Sequence, residues 1–147
     1  MPRPLTEQER QQFLADKHVA IMSVESDGGR PPLTIPVWYA YQPGGNVIFF
    51  TGTQGSETRK TGLIEKAGKL SISVQKEDLP YKYVTVEGSL ERIDRPPAAE
   101  DMLAVVSRYL PPRAAQKFVQ AEIDRPDNKL VLFVIRPDRW LSLDFAE

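Results

Sequence analysis

The chain has 147 residues, a formal net charge of −1 at pH 7, one histidine and no cysteine. A chain of this length buries roughly 70% of its unfolded surface, so it forms a core without disulfide or metal staples. The lack of cysteine excludes disulfides and thiolate metal sites, the single histidine excludes histidine-rich metal sites, and the near-zero charge argues against a nucleic-acid binder.

Apolar segments of the chain are all short. None approaches the roughly 18 residues that a membrane span requires, and the first ten residues lack the apolar region of a signal peptide. The sequence contains no internal repeat or low-complexity stretch. We therefore expect residues 1–147 to form a single soluble domain in the cytoplasm, with no membrane or nucleic-acid partner and no metal.

A short helix and a strand open the chain. Thr6 and Glu9 form the capping-box pattern, and the helix that they begin is expected to end near Ala15. The strand His18–Glu25 is mostly apolar and ends in a serine-aspartate-glycine-glycine hairpin signal. A lone histidine at a strand start favours a structural over a catalytic role for His18.

The second predicted strand, Leu33–Gln42, contains a proline in its interior. Because proline cannot donate to a ladder, Pro36 indicates an edge strand or a bulge. The missing N–H, with Trp38 and Tyr39 beyond it, would suit a flat amphipathic ligand. The alternative is a barrel bulge whose aromatic residues belong to the core.

A strand, a polar turn and a helix form the middle of the chain. Val47 to Phe50 has the β-branched and aromatic composition of a buried strand. Residues 51–55 include two glycines, which permit a tight turn. Ser56 is expected to cap a short helix that Gly68 ends.

Two bases in the first turn of this helix predict an anion site. Arg59 and Lys60 oppose the helix dipole, and a bound anion would remove that conflict. Hydroxyls and free backbone N–H groups beside them complete a phosphate cradle. Its members are Thr51, Thr53, Ser56, Thr58, Arg59 and Lys60. The alternative is a solvated turn in which Glu57 and Glu65 pair with the bases.

Two strands follow the helix. Leu70 to Gln75 alternates, so one face belongs to the core and the other carries hydroxyls and the Gln75 amide. Tyr83 to Asp94 is a long strand with a bulge expected near Arg92, and Gly88 predicts close approach of another element or sharp curvature.

The last third alternates helix and strand. Helices are expected at Ala98–Leu110 and Ala114–Ile123. Leu130–Ile135 is continuously apolar, so a helix of the same chain or a second subunit must cover its second face. Residues 136–139 predict a break before a final strand, Trp140–Phe145, in which Trp140 has the character of a core residue. The sum is six or seven antiparallel strands with short helices, a mainly β, α+β barrel.

Four segments together resemble a known family. The chain resembles the pyridoxamine 5′-phosphate oxidase-like, FMN-binding split barrels, and is most similar to their actinobacterial branch that uses FMN or the deazaflavin F420. The matching segments are Phe50-Thr51-Gly52 with Thr58-Arg59-Lys60, Pro36-Val37-Trp38-Tyr39, Val84-Thr85-Val86-Glu87-Gly88 and Arg136-Pro137-Asp138-Arg139-Trp140.

The resemblance implies a split β-barrel, a homodimer and a cofactor site at the subunit interface. The phosphate is expected in the cradle and the ring beside the Pro36 segment, while a residue near Trp140 reaches the partner's cofactor. The expected cofactor-binding residues are Pro36, Val37, Trp38, Thr51, Gly52, Thr53, Ser56, Thr58, Arg59, Lys60, Gln75 and Trp140.

No catalytic group stands out in the sequence. It contains no carboxylate pair in an obvious apolar setting and no nucleophile elbow. Hydride transfer needs neither, because the cofactor carries the reactive atom. We therefore expect an F420- or FMN-dependent oxidoreductase acting on a small organic substrate. A cofactor-binding carrier or sensor without turnover, and a ligand-free β-barrel that acts through protein contacts, remain open.

Overall fold

The computed structural model describes residues 1–52, 57–125 and 130–146, and these residues form seven strands and four short helices. No helix in this part of the chain is long and apolar enough to cross a membrane. In chain order the elements are α1 (Glu7–Ala15), β1 (Ala20–Val24), β2 (Leu33–Val37), β3 (Tyr39–Ala40), β4 (Val47–Thr51), α2 (Glu57–Ala67), β5 (Lys69–Lys76), β6 (Lys82–Asp94), α3 (Ala99–Val106), α4 (Pro112–Asp124) and β7 (Val131–Asp144).

The strands form one antiparallel sheet in the order β2-β1-β5-β6-β7-β4-β3. Its two edge strands, β2 and β3, are consecutive in the chain and are joined by Trp38. The sheet therefore curls so that its two edges come together at Trp38. The main chain connects the edges there, and no hydrogen-bonded ladder is described between them. The predicted split-barrel fold is confirmed.

Pro36 lies in an edge strand, as its missing N–H predicts. It is paired with Ile21 of β1, and β2 has no other neighbour in the described sheet. The predicted strand Leu33–Gln42 is, however, two strands that pair at opposite edges. The chain leaves one edge after Val37 and joins the other at Tyr39, so Trp38 belongs to neither ladder.

Alternate residues of the strands fill the barrel. Met22, Ile72 and Val86 lie in register across β1, β5 and β6, and all three are fully buried. The predicted alternation of Leu70 to Gln75 is confirmed, because the serines and the glutamine of that segment face away from this core. Burial of such apolar side chains is the main driving force for closing the sheet.

Both faces of the apolar start of β7 are covered by this chain. Phe133 belongs to the barrel core. Leu132 is paired with Phe50 of β4 and so shares its face, and Phe50 packs on a second cluster formed mainly by α3 and α4. Of the two predicted covers, the structure therefore shows the helical one, and this strand gives no support to a subunit interface.

The predicted break at residues 136–139 is wrong, since β7 runs unbroken from Val131 to Asp144. Glu87 pairs with Arg139 and Gly88 with Pro137, which leaves Asp138 as the extra residue of a bulge. A bulge accommodates a proline that cannot donate to the ladder. The bulge predicted near Arg92 is confirmed by a second register shift.

The helix ends follow their local signals closely. The Thr6–Glu9 capping box is formed, and Gly68 ends α2 with φ of +68°, a conformation that favours glycine. The predicted helix to Leu110 ends at Val106, where tighter turns replace it, and α4 begins at Pro112, two residues earlier than expected. The capping role predicted for Ser56 lies outside the described residues.

Candidate functional site

A cleft of about 550 Å³ opens beside the link between the two sheet edges. It lies among the end of β4, the first turn of α2, the β2–β3 link and α4. Six predicted site residues meet here, namely Pro36, Val37, Trp38, Thr51, Gly52 and Lys60. The other lining residues are Val19, Ile35, Phe50 and Phe118.

Part of the cleft lining is polar. Thr51 is 7% exposed, and its hydroxyl has no hydrogen-bond partner among the residues that the structure describes. Lys60 is the fourth residue of α2, so the N-terminal end of that helix lies beside the same space. A helix N-terminus, an ammonium group and an unpartnered hydroxyl together favour an anionic ligand group.

Aromatic side chains form another part of the lining. Phe50 of β4 and Phe118 of α4 have ring centroids 5.9 Å apart. Trp38 is 36% exposed and lies parallel to Tyr109, with 4.7 Å between ring centroids and 8° between planes. Such a surface suits a flat, largely apolar ring.

Arg59 does not line this cleft. Its guanidinium donates to the Ser26 hydroxyl at 2.5 Å and lies 3.7 Å from the Asp27 carboxylate, in the loop after β1. Arg59 is in the first turn of α2, as predicted, yet helical geometry turns its side chain away from that of its neighbour Lys60.

The remaining predicted residues lie apart. Gln75 is exposed on the outer face of β5, paired with Tyr83. Trp140 faces Tyr41 and stacks under the Arg10 guanidinium, 5.1 Å from its ring, at a separate pocket of about 320 Å³. Thr53 and Ser56, and the side chain of Thr58, lie outside the described part of the chain.

Two residues just after α3, Arg108 and Tyr109, were not predicted as part of the site. The Arg108 guanidinium donates to the carbonyl oxygens of Ala15 and Tyr39, and the Tyr109 hydroxyl donates to that of His18 at 2.6 Å. Burial raises the pKa of Tyr109, so its hydroxyl stays protonated at neutral pH. The available signal was a basic residue followed by an aromatic one just past an amphipathic helix. Their hydrogen-bond partners lie about 70 to 90 residues away in the chain, so the local pattern did not reveal them.

His18 itself takes a structural position. Its Nε2 lies 2.9 Å from the Phe13 carbonyl oxygen, to which the ring N–H donates, and its ring packs on that of Phe13. Burial lowers the pKa of His18, which favours the neutral imidazole.

A larger cleft of about 660 Å³ lies at the opposite end of β1 and β5. It contains no predicted site residue. The carboxylates of Glu25, Glu87 and Asp138 line it, and hydrogen bonds from Ser89 and then Arg136 lower the pKa of Asp138. Lys69 and Arg139 line it as well, so its charges are mixed. No metal-binding group of three acidic, histidine or cysteine residues occurs within residues 1–52, 57–125 and 130–146.

Comparison with known proteins points to one family. The family model for pyridoxamine 5′-phosphate oxidase matches residues 6–144. Comparison with curated proteins gave no match.

Solved structures share this fold. An F420 reductase has a TM-score of 0.66 at 22% identity, over 89% of this chain and 94% of its own. A hypothetical protein from Mycobacterium tuberculosis has a TM-score of 0.75 at 20% identity, over 96% and 86%. An FAD-binding protein from Mesorhizobium loti has a TM-score of 0.66 at 19% identity, over 100% and 98%. These likenesses show the fold, and the match to the family model shows that the chain belongs to the pyridoxamine 5′-phosphate oxidase family.

Proposed function

We propose that the chain is an oxidoreductase that binds a flavin-type cofactor, F420 or FMN, in the cleft beside Trp38. The observation that carries the proposal is the buried Thr51 hydroxyl, which has no partner among the described residues. Leaving such a group unpaired costs about 1–3 kcal/mol. A phosphate oxygen would accept its hydrogen bond, and Lys60 lines the same cleft.

The residues that line the cleft suit both the phosphate and the ring of a flavin-type cofactor. Thr51, Gly52 and Lys60 would hold the phosphate, and Pro36, Val37 and Trp38 would flank the ring. Lys60 is the one ionisable side chain among the described lining residues. This chain would therefore bind and orient the cofactor, while the cofactor supplies the hydride chemistry.

Four more of the predicted cofactor residues are part of the proposed phosphate site. Thr53, Ser56, Thr58 and Arg59 extend the proposed phosphate cradle from the segment that follows β4. Arg59 would join it only by exchanging its Ser26 contact for the ligand.

We further propose a homodimer whose interface is the outer face of β1, β5, β6 and β7. The residues in one row across it are Ile21, Ser73, Thr85 and Leu141. The two apolar residues of the row are more than 40% exposed, and Pro36 continues the row to the cleft. A second copy packed on this row would lie beside the cofactor, with Gln75 on the same face. Trp140 faces the barrel core, so a second copy packed on this outer face would not by itself bring Trp140 to the partner's cofactor.

A binding experiment tests the proposal. Apo protein is mixed with FMN or F420, passed through a desalting column and examined by absorbance. Co-elution of one cofactor at about one per chain supports it, and separation of both from the protein overturns it in favour of the ligand-free barrel.

Turnover and assembly need separate measurements. Oxidation of reduced cofactor by electron-poor organic substrates distinguishes an enzyme from a carrier or sensor, for which binding persists without turnover. Sedimentation equilibrium at micromolar concentration should give about twice the chain mass of 16.6 kDa. A monomer removes the shared-site part of the proposal.

A further inference from the structure

The position of Trp38 is not fixed by the sheet. The β1–β2 register ends at Val37, and the β3–β4 register begins at Tyr39, so Trp38 lies between two ladders. Trp38 nevertheless lines the cleft. Contacts from outside the sheet must therefore determine where the Trp38 ring stands.

Tyr109 supplies the ring contact. It follows α3, about 70 residues further along the chain, and its ring lies parallel to that of Trp38 at 4.7 Å. Its hydroxyl accepts a hydrogen bond from the Tyr39 backbone N–H at 3.2 Å and donates to the His18 carbonyl oxygen at 2.6 Å. The Tyr109 side chain therefore contacts the segment before β1, the start of β3 and the Trp38 ring.

Arg108 holds the same residue, Tyr39, through its carbonyl oxygen. It donates to the carbonyl oxygen of Tyr39 and to those of Ala15 and Asp16 at the end of α1, where a cation is favoured by the helix dipole. Its guanidinium lies over the Tyr39 ring, 4.4 Å from the centroid, and the Tyr39 hydroxyl donates to the Leu14 carbonyl oxygen at 2.6 Å. Tyr39 is fully buried, so the residue after Trp38 is held firmly.

We propose that Tyr109 is a positioning residue that sets the plane of Trp38 and thereby the width of the cofactor cleft. The expected effect on cofactor binding rests on the proposed function, but the position of Trp38 is measurable without any ligand. Trp38, backed by Tyr109, and Phe118 of α4 both line the cleft, so α4 and the segment after α3 together influence how a flat ring fits.

The test uses two substitutions of Tyr109 and one control. Tyr109→Leu removes the stacked ring, whereas Tyr109→Phe keeps the ring and removes the hydroxyl. Tyr81→Leu removes an exposed tyrosine away from the cleft. All variants, and their reference, carry Trp140→Phe, because the chain has two tryptophans and emission then reports Trp38 alone.

Two quantities are measured, namely acrylamide quenching of Trp38 in the apo protein and the affinity for FMN. An aromatic pair of this kind corresponds to roughly a three- to tenfold change in affinity. We expect Tyr109→Leu to raise the quenching constant about twofold and to weaken FMN binding by that factor. Tyr109→Phe should recover most of both losses, and Tyr81→Leu should change neither.

Unchanged FMN affinity in Tyr109→Leu overturns the proposal, as does weaker binding without a change in Trp38 quenching. If the reference protein binds no FMN, FMN is excluded as the cofactor. The quenching comparison then decides by itself whether Tyr109 positions Trp38. Should Tyr109→Leu not fold, Tyr109→Met, whose unbranched and flexible side chain also lacks a ring, replaces it.

Discussion

The Arg59 guanidinium donates a hydrogen bond to the Ser26 hydroxyl, with 2.5 Å between Nη2 and Oγ, and so anchors α2 to the loop after β1. The adjacent Asp27 carboxylate lies 3.7 Å from the same nitrogen. Lys60, the next residue, lines the cleft instead. Two bases that the sequence presents as a pair therefore have different surroundings, and a ligand in the cleft meets Lys60 first.

Replacing the two bases separately should give unequal losses of cofactor affinity. We expect Lys60→Ala to weaken FMN binding about tenfold or more, because a charge-assisted hydrogen bond contributes about 1.5–3 kcal/mol. Arg59→Ala should cost less, since its contacts to Ser26 and Asp27 must break before it reaches a ligand. Fluorescence titration gives both values, with Lys117→Ala on α4 as a control for charge alone. An equal or larger loss in Arg59→Ala would place Arg59 in the cradle when the cofactor is bound.

Thr51→Val should move stability and binding in opposite directions. Valine has the same shape without the buried, unpartnered hydroxyl, so the free energy of unfolding of the apo protein should stay level or rise by up to about 1 kcal/mol. FMN binding should weaken about fivefold, because the proposed hydrogen bond to phosphate is lost. Urea unfolding and FMN titration measure the two effects, and Thr51→Ser, which keeps the hydroxyl, should retain affinity. A stability loss with unchanged binding would mean that Thr51 serves only the fold.

Local signals predicted much of this fold, and long-range contacts explain what they missed. The Thr6 capping box, the glycine that ends α2 and the alternation in β5 each depend on neighbours within a few residues. The direction of the Arg59 side chain depends on Ser26, 33 residues away, and the stack of Tyr109 on Trp38 joins segments that have no periodic relation. Hydrophobic pattern specifies which face is buried, but it does not specify such pairings.

Gly88→Ala should strongly destabilise the protein. A Cβ at this position would meet Ile135 Cγ2 and would lie 2.7 Å from the Arg136 carbonyl oxygen, so the bulged β7 would have to shift. We expect a loss of about 1–3 kcal/mol in the free energy of unfolding. Gly62→Ala is the matched control, because nothing lies within 4 Å of its Cβ and alanine favours a helix interior by up to about 1 kcal/mol. Urea unfolding of the two variants should give opposite signs, and equal small effects would contradict the close approach at Gly88.

Acid should remove the stabilisation that Glu9 provides. A hydrogen bond from Arg3 and the backbone N–H of Thr6 lower the pKa of Glu9 from 4.5 to about 2. Because the folded-state pKa is depressed, the contribution is fully present above about pH 5 and disappears as the pH falls towards 2. Glu9→Gln should therefore lower the melting temperature at pH 7 and match the wild type near pH 2. Circular dichroism at several pH values, with Glu7→Gln as the control, measures the difference. A gap that does not close in acid would assign the loss to the capping geometry instead of the charge.

The choice between the two proposed cofactors should depend on charge along α2. F420 carries a lactyl-oligoglutamate tail beyond the phosphate, whereas FMN has none, so additional bases favour F420. Lys66 lies six residues after Lys60, about 9 Å along the helix axis. Glu65, the neighbour of Lys66, forms an ion pair with Arg95, and Lys69 lines the larger cleft instead, so Lys66 is the better candidate for the tail.

We expect the apo protein to bind F420 at least about tenfold more tightly than FMN at low salt, with the gap narrowing as salt screens the exposed tail. Lys66→Ala should then weaken F420 binding about two- to threefold and leave FMN binding unchanged, because an exposed ion pair contributes only about 0.2–1 kcal/mol. Parallel titrations at two salt concentrations measure both effects, with Lys69→Ala as the matched control on the neighbouring strand. Comparable or tighter FMN binding at low salt would assign FMN. The proposed roles of Thr51 and Lys60 would remain, because either cofactor would present a phosphate to them.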